Sequence, residues 1–154
     1  MTKRLAILGS TGSIGQQCLE IVDAHPNLFE VEVLTANNNA QLLINQALKY
    51  HPSKVIIANS DKYALVKSAL EPAKIQVFPG NEAIENCVSD PSVDMVVAAM
   101  VGYAGLIPVI NAIKAKKQVA LANKETLVVA GDLITRLCDE YLVDLLPVDS
   151  EHSA

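Results

Sequence analysis

The feature that most constrains this chain is a strict alternation of short, unbroken apolar runs with segments of helical periodicity. Leu5, Ala6, Ile7 and Leu8 form the first run, and Gly9 stops it. Similar runs at 31–35, 55–58, 75–78, 93–99, 118–122 and 144–148 predict further strands. A strand buried on both faces reads as a continuous apolar stretch, because neither face needs polar residues. Between the runs, Ile14, Cys18, Ile21 and Val22 recur at helical spacing, and helices are predicted over 41–48, 61–70, 106–115 and 126–141. Pro26 and Pro52 close the first two helices, since the residue before a proline is pushed out of the helical region. Pro79 and Gly80 read as a turn, and no helix is predicted between the fourth and fifth strands. Such alternation implies parallel strands joined by helical crossovers, with helices covering both faces. The expected fold class is therefore α/β, with a doubly wound, mostly parallel sheet of the Rossmann-like kind.

Composition narrows the class of partner. With 154 residues, 51% hydrophobic and 19% charged, the chain is long and apolar enough for one domain with a substantial core. A net charge of −5 and 4% aromatic residues supply neither the basic stripe nor the stacking platforms of a nucleic-acid binder, so no such partner is expected. The three cysteines, Cys18, Cys87 and Cys138, are widely spaced and form no CxxC pair, which suits buried thiols in a reducing, cytoplasmic setting. The apolar run after Lys3 and Arg4 is too short for the core of a signal peptide. Residues 95–113 carry no formal charge and are nominally long enough to cross a membrane. Gly102, Gly105, Pro108 and Asn111 instead divide them into a strand, a glycine loop and a helix start, and no membrane partner is expected.

In a doubly wound sheet, ligands bind beyond the carboxyl ends of the strands. The loops expected at that edge are 9–15, 37–39, 102–105, 123–125 and 149–151, and they hold the chain's most unusual polar and glycine-rich stretches. Gly9, Gly12 and Gly15 form a GxxGxxG loop between the first strand and the first helix. Glycines there permit a tight turn and let a pyrophosphate approach the backbone, with the N–H groups of Gly12, Ser13 and Ile14 facing the anion from the helix start. The alternative is that the glycines serve only close packing. At the end of the second strand stand Asn37, Asn38 and Asn39, where NAD-binding folds usually carry an acidic residue for the ribose 2′-hydroxyl. Amides can donate to a 2′-phosphate, which leans toward NADP, although the three can also serve as a turn and a helix cap. Asn123, Lys124 and Glu125 precede a long helix, where a lysine can hold a substrate oxygen; a cap with an exposed ion pair is the plainer reading. Asp149 and Glu151 are two apart in an extended segment and point the same way. Hard oxygen donors so placed suit Mg²⁺ or Mn²⁺, but two do not complete a site, and an exposed acidic loop is the alternative.

Taken together, the stretches ILGSTGSIG (7–15), VGYAGL (101–106), LANKE (121–125) and LPVDSEH (146–152) resemble the 1-deoxy-D-xylulose 5-phosphate reductoisomerase family of non-mevalonate isoprenoid synthesis. The resemblance runs the length of the chain and covers only the amino-terminal part of the family's protein. It implies that Thr11, Gly12, Ser13 and Ile14 hold the pyrophosphate of NADPH. Asn39 matches the family's asparagine after the second strand; the positions before it, often glycine then a basic or small residue in the family, are Asn37 and Asn38 here, in the same cofactor loop. Asn123 and Glu125 would contact the cofactor, and Lys124 the sugar phosphate substrate. Asp149 and Glu151 would be ligands of a divalent metal, Mg²⁺ or Mn²⁺, with Ser150 and Glu151 also touching substrate. Lys124 and Glu151 are thus the catalytic residues the resemblance implies. The metal would polarise the substrate's carbonyl, and NADPH would reduce the rearranged aldehyde phosphate to 2-C-methyl-D-erythritol 4-phosphate. The expected domain organisation is one NADPH-binding domain over 1–154 that ends at the start of the metal and substrate site. The family's catalytic and carboxyl-terminal domains, which carry most of its homodimer contact, lie outside this sequence. The expectation is nucleotide binding without turnover by these residues alone.

Two other readings compete. A short-chain dehydrogenase or nucleotide-sugar epimerase would need a late Tyr-x-x-x-Lys; Tyr50 with Lys54 and Tyr63 with Lys67 have that spacing, but Pro52 interrupts the first and both precede the fourth strand. A non-catalytic nucleotide-sensing domain would share the glycine loop and have no use for converging carboxylates.

Overall fold

The computed structural model describes residues 2–122 and 124–147, with the side chains of all of these except Lys124 and Glu125. The strands are β1 (Lys3–Leu8), β2 (Phe29–Ala36), β3 (Lys54–Ile57), β4 (Gln76–Pro79), β5 (Met95–Ala98), β6 (Gln118–Leu121) and β7 (Leu145–Pro147). The helices are α1 (Ser13–Ala24), α2 (Ala40–Tyr50), α3 (Tyr63–Leu70), α4 (Asn81–Cys87), α5 (Leu106–Lys114) and α6 (Lys124–Tyr141). The strands form one sheet in the order β4-β3-β2-β1-β5-β6-β7, and every neighbouring pair is parallel. The chain thus winds outward from β1 to β4, crosses back to lie beside β1 as β5, and winds out the other way. The reversal between β1 and β5 opens a crevice at the carboxyl ends of the two most central strands.

Winding in opposite directions places successive right-handed crossovers on opposite faces. Leu19 and Val22 of α1, Leu43 and Ala47 of α2, and Val66 and Leu70 of α3 cover one face, against Leu5 and Ile7 of β1. Ile84 of α4, Val109 and Ile113 of α5, and Ile134 of α6 cover the other, against Ala6 and Leu8. Alternate residues of β1 therefore feed two cores, and its apolar run is unbroken because both faces are buried. Residues 95–113 form β5, a 3-10 turn at Gly102–Gly105 and α5, and no helix among the described residues is long and apolar enough to cross a membrane.

Three local features depart from the sequence expectation. Helix α4 fills the interval between the fourth and fifth strands that was read as a turn alone. It buries only Ile84 and Cys87, too few apolar positions to give a periodic signal. In α1 the buried series is Gly15, Leu19 and Val22, whereas Ile14 and Cys18 are half-buried and Ile21 is exposed. Of the predicted row only Val22 is buried, because the helix comes closest to the preceding loop through Gly15, where a Cβ would lie 2.3 Å from the Gly9 oxygen. Helix α6 is not continuous: Ala130, just before Gly131, has φ −129° and ψ 21°, which breaks the helical ladder where a glycine already weakens it.

At the opposite, amino-terminal edge a polar lattice fixes the crossover into β5. Asp90 pairs with Lys54 at the start of β3 and accepts bonds from Ser92 N and Oγ at 2.9 and 2.8 Å. Lys117 Nζ donates to the carbonyls of Asp90 and Val93 at 2.9 and 2.6 Å. Arg4 holds Asp94 through its backbone N–H at 2.8 Å and its Nε at 3.2 Å. The Lys54 and Ser92 hydrogen bonds draw the Asp90 carboxyl down to about 2. This lattice ties together the chain at the amino-terminal ends of β1, β3, β5 and β6.

Candidate nucleotide site

The glycine loop joins β1 to α1 at that crevice, and its three glycines do different work. Gly9 has φ +82°, a conformation that favours glycine, and an added Cβ would lie 3.0 Å from the Ala99 carbonyl oxygen. At Gly15 a Cβ would lie 2.3 Å from the Gly9 oxygen and 2.6 Å from Ser10 Cα. Both positions are glycine for close packing. Gly12 is different: its nearest neighbour would be 3.6 Å away, it is exposed, and it lines the cavity described below.

Gly12 is also the N-cap of α1, with no side-chain cap and no acidic residue in the first turn. The first N–H groups of a helix have no partner within it, and the aligned peptide dipoles favour an anion there. One detail corrects the sequence reading: the Gly12 N–H donates to the Gly9 carbonyl at 3.3 Å and closes the turn. The N–H groups of Ser13, Ile14 and Gly15 are the remaining first-turn donors without an intrahelical acceptor.

The loop rests on a buried polar cluster that sequence reasoning did not find. Gly9 N donates to Thr35 Oγ1 at 3.0 Å, and Ser10 N donates to the Thr35 carbonyl at 2.8 Å. Ser10 is fully buried, and its Oγ lies 2.7 Å from Oε1 of Gln46 on α2. Gln46 Nε2 returns a bond to the Ser10 carbonyl at 2.9 Å. The available signal was a glutamine among Leu43, Ile44 and Ala47, on the apolar face of α2.

Above the loop lies a cavity of about 310 Å³, at the lower end of the range for small-molecule sites. Gly9, Thr11 and Gly12 line it from the glycine loop, Thr35, Ala36 and Asn37 from the end of β2, and Ala58 from the end of β3. Asn81 and Ile84 of α4, together with Ala99, Met100, Val101 and Ala104 after β5, complete the wall. Four strand ends thus converge on one space, as the sheet topology requires. The contribution of α4 was invisible because that helix was not anticipated.

The asparagine loop forms the turn and helix cap that its residues suggest. Asn39 caps α2, its Oδ1 accepting from Leu42 N at 3.2 Å. Asn38 Oδ1 accepts from Asn59 Nδ2 at 2.9 Å, and Asn59 N donates to the Asn37 carbonyl at 2.9 Å. Asn38 thereby keeps its amide nitrogen as its remaining side-chain donor. All three are exposed, and Asn37 lines the cavity.

The remaining predicted residues are placed only in part. Ser13 begins α1 beside the cavity, and Ile14 instead lines a second, apolar space of about 200 Å³ between α1 and Met95, Val97 and Ala120. Lys124 and Glu125 open α6 beyond the carboxyl end of β6, on the same edge as the cavity. Asn123, Asp149, Ser150 and Glu151 lie outside the described residues; β7, which precedes the acidic stretch, ends at Pro147 next to β6. Among the described residues no group of three or more His, Cys, Asp or Glu could hold a metal ion. All three cysteines are free thiols, and burial pushes Cys18 up to about 11 and Cys87 up to about 12.

A parallel doubly wound sheet with a glycine loop at its switch point and an uncapped helix start facing a cavity defines a domain of the Rossmann type. The chain belongs to the 1-deoxy-D-xylulose 5-phosphate reductoisomerase family, whose profile matches residues 5–131. The reductoisomerase of Porphyromonas gingivalis is 60% identical over 154 residues, which cover 100% of this chain and 40% of that protein. A solved structure of DOX-P reductoisomerase in complex with magnesium superposes with a TM-score of 0.92 at 40% identity, covering 100% of this chain and 39% of that one. The Zymomonas mobilis enzyme in complex with NADPH also gives 0.92, at 36% identity, over 100% of this chain and 40% of that one. This chain therefore spans about 40% of the length of the curated relatives it matches.

Proposed function

We propose that this chain binds NADPH at the crevice between β1 and β5 and contributes part of the metal and substrate site of a 1-deoxy-D-xylulose 5-phosphate reductoisomerase. The observation that carries the reading is the open Gly12 at the uncapped start of α1, facing a cavity built from four strand ends. The pyrophosphate sits against Thr11, Gly12, Ser13 and Ile14, with the Ser13 and Ile14 N–H groups and the α1 dipole offsetting its charge. Asn37 and Asn38 supply amide donors for the 2′-phosphate, while Asn39 holds the loop's shape as the α2 cap. The NADPH-bound state of the Zymomonas mobilis relative supports NADPH as the nucleotide.

Asn123 and Glu125 contact the cofactor, and Lys124 orients the sugar phosphate. Asp149 and Glu151 follow β7 in sequence as hard oxygen donors, the chemistry that Mg²⁺ or Mn²⁺ prefers, and a magnesium-bound relative supports magnesium as the ion. They would hold the metal, with Ser150 and Glu151 beside the substrate; once bound, the metal polarises the substrate's carbonyl and NADPH supplies the hydride. The sheet's role is positional: it sets the nicotinamide and the substrate on one edge at a fixed separation. The reaction is isomerisation and reduction of 1-deoxy-D-xylulose 5-phosphate to 2-C-methyl-D-erythritol 4-phosphate.

In a polypeptide of the relatives' full length that carries these residues, Glu151→Gln should abolish turnover and leave NADPH affinity unchanged. Undiminished activity would refute the metal role of Glu151. The 154 residues alone should bind NADPH without turnover, and a measurable rate from them would refute that division of labour.

A further inference from the structure

The cluster beneath the glycine loop contains more polar bonding than packing requires. Gln46 lies in the middle of α2 with 7% of its surface exposed, flanked by Leu43, Ile44 and Ala47 on a face where an apolar side chain would satisfy the core. Both ends of its amide are spent on one residue. The Ser10 carbonyl can only accept, so the group 2.9 Å from it must be the Gln46 amide nitrogen, and that fixes the orientation of the amide. Oε1 then faces Ser10 Oγ at 2.7 Å, so the single hydroxyl proton of Ser10 points to Gln46 rather than to the more distant Thr35 carbonyl at 3.2 Å. That carbonyl receives the Ser10 N–H instead. Ser10 is thus held through its N–H, its carbonyl and its hydroxyl, by β2 on one side and α2 on the other. Thr11, Gly12 and Ser13 follow directly from it.

A buried hydrogen-bonded pair replaced on both sides by apolar groups of similar shape is often neutral for stability. What a fully satisfied buried network supplies is a single rigid geometry. Here the geometry it sets is that of Thr11 and Gly12, which line the cavity just before α1 begins. We infer that Gln46, acting through Ser10, is a positioning residue that presets the backbone of residues 11–13 for the diphosphate of the nucleotide. The inference rests on the NADPH reading given above. Gln46 touches no ligand itself; it holds the amides that do.

The test compares two ligands on the 154-residue chain: NADPH, which carries the diphosphate, and adenosine 2′-monophosphate, which carries only the adenosine end. Gln46→Met keeps the length of the side chain and removes both bonds to Ser10. NADPH affinity should fall about tenfold, with adenosine 2′-monophosphate binding within twofold of the parent, while the unliganded melting temperature falls by a few degrees because the buried Ser10 carbonyl loses its donor. Ser10→Ala, which removes the hydroxyl and keeps the bond to its carbonyl, should give a smaller fall of about threefold with the same ligand selectivity. It also serves as the second probe should Gln46→Met fail to fold. Unchanged NADPH affinity in both variants would overturn the inference. So would equal losses for both ligands in step with the melting temperature, which would make the cluster merely structural. A parent chain that bound neither ligand would overturn the NADPH reading itself, a result distinct from a parent that binds and variants that match it.

Discussion

Substituting alanine at two glycines of one loop separates packing from ligand binding. At Gly15 the new methyl would meet the Gly9 oxygen at 2.3 Å and Ser10 Cα and C at 2.6 and 2.8 Å, all backbone atoms. Ordinary contact begins near 3.4 Å, so α1 or the loop must give by about an ångström. Neither can do so freely, because Gly9 and Ser10 are hydrogen-bonded to Thr35 and Gln46. Overpacking of this kind costs about 1–3 kcal/mol, offset by up to ~1 kcal/mol from alanine's better helix propensity. A net loss of about 1–2 kcal/mol lowers the midpoint of a chain this size by roughly 2–8 °C. At Gly12 the nearest atom would be 3.6 Å away, and φ −77° with ψ 174° suits any residue. The poorer N-cap costs ~0.5–1 kcal/mol, which reduced freedom of the unfolded chain offsets by a similar amount. Gly12→Ala should therefore melt within about 2 °C of the parent. Its methyl, however, stands where the pyrophosphate approaches, so NADPH affinity should fall at least tenfold. The assay is thermal unfolding without ligand, paired with NADPH titration by calorimetry. If Gly12→Ala bound NADPH normally, or if Gly15→Ala melted like the parent, the division of roles within the loop would be wrong.

Two further predictions concern the frame. The Asp90 carboxyl titrates near 2 in the folded chain, below its usual value, so its pairing stabilises the fold above about pH 4 and that contribution disappears as pH falls from about 4 to about 2. Asp90→Asn should lower stability by about 1–2 kcal/mol at pH 7, and the gap to the parent should close by about pH 2; a gap independent of pH in thermal unfolding would contradict this. Cys18 and Cys87, raised to about 11 and about 12 by burial, should react with a thiol-specific reagent at pH 8 far more slowly than in denaturant, and equal rates would show that α1 and α4 do not pack as described.

The strands were legible because burial on both faces writes an unbroken apolar run, and β1, β3 and β6 begin and end within two residues of their runs. Helix α1 was legible as a helix but not in its rotation. The predicted row Ile14, Cys18, Ile21 and Val22 and the buried row Gly15, Leu19 and Val22 share Val22 and have the same spacing, and the close approach of Gly15 to Gly9 chooses between them. Helix α4 escaped because seven residues with two buried side chains carry no period, and with it went Asn81 and Ile84 as walls of the cavity. The glycine and asparagine loops stood out because unusual residues interrupt apolar runs at strand ends. The clamp of Ser10 by Gln46 could not be read, since it joins residues 36 apart whose pairing depends on how α2 packs over β1. Asn123 and the acidic stretch at 149–151 lie outside the described residues, and their roles rest on the proposal above.

Titration of the 154-residue chain with NADPH and with NADH, followed by thermal unfolding, tests the central claim most directly. At about 100 times its dissociation constant, a ligand of the folded state adds ~2.7 kcal/mol, or roughly 5–10 °C for a chain of this length. The account predicts a shift of that size with NADPH, reached at lower concentration than with NADH because the amides of Asn37 and Asn38 meet the 2′-phosphate. An unmoved midpoint with both nucleotides would contradict it.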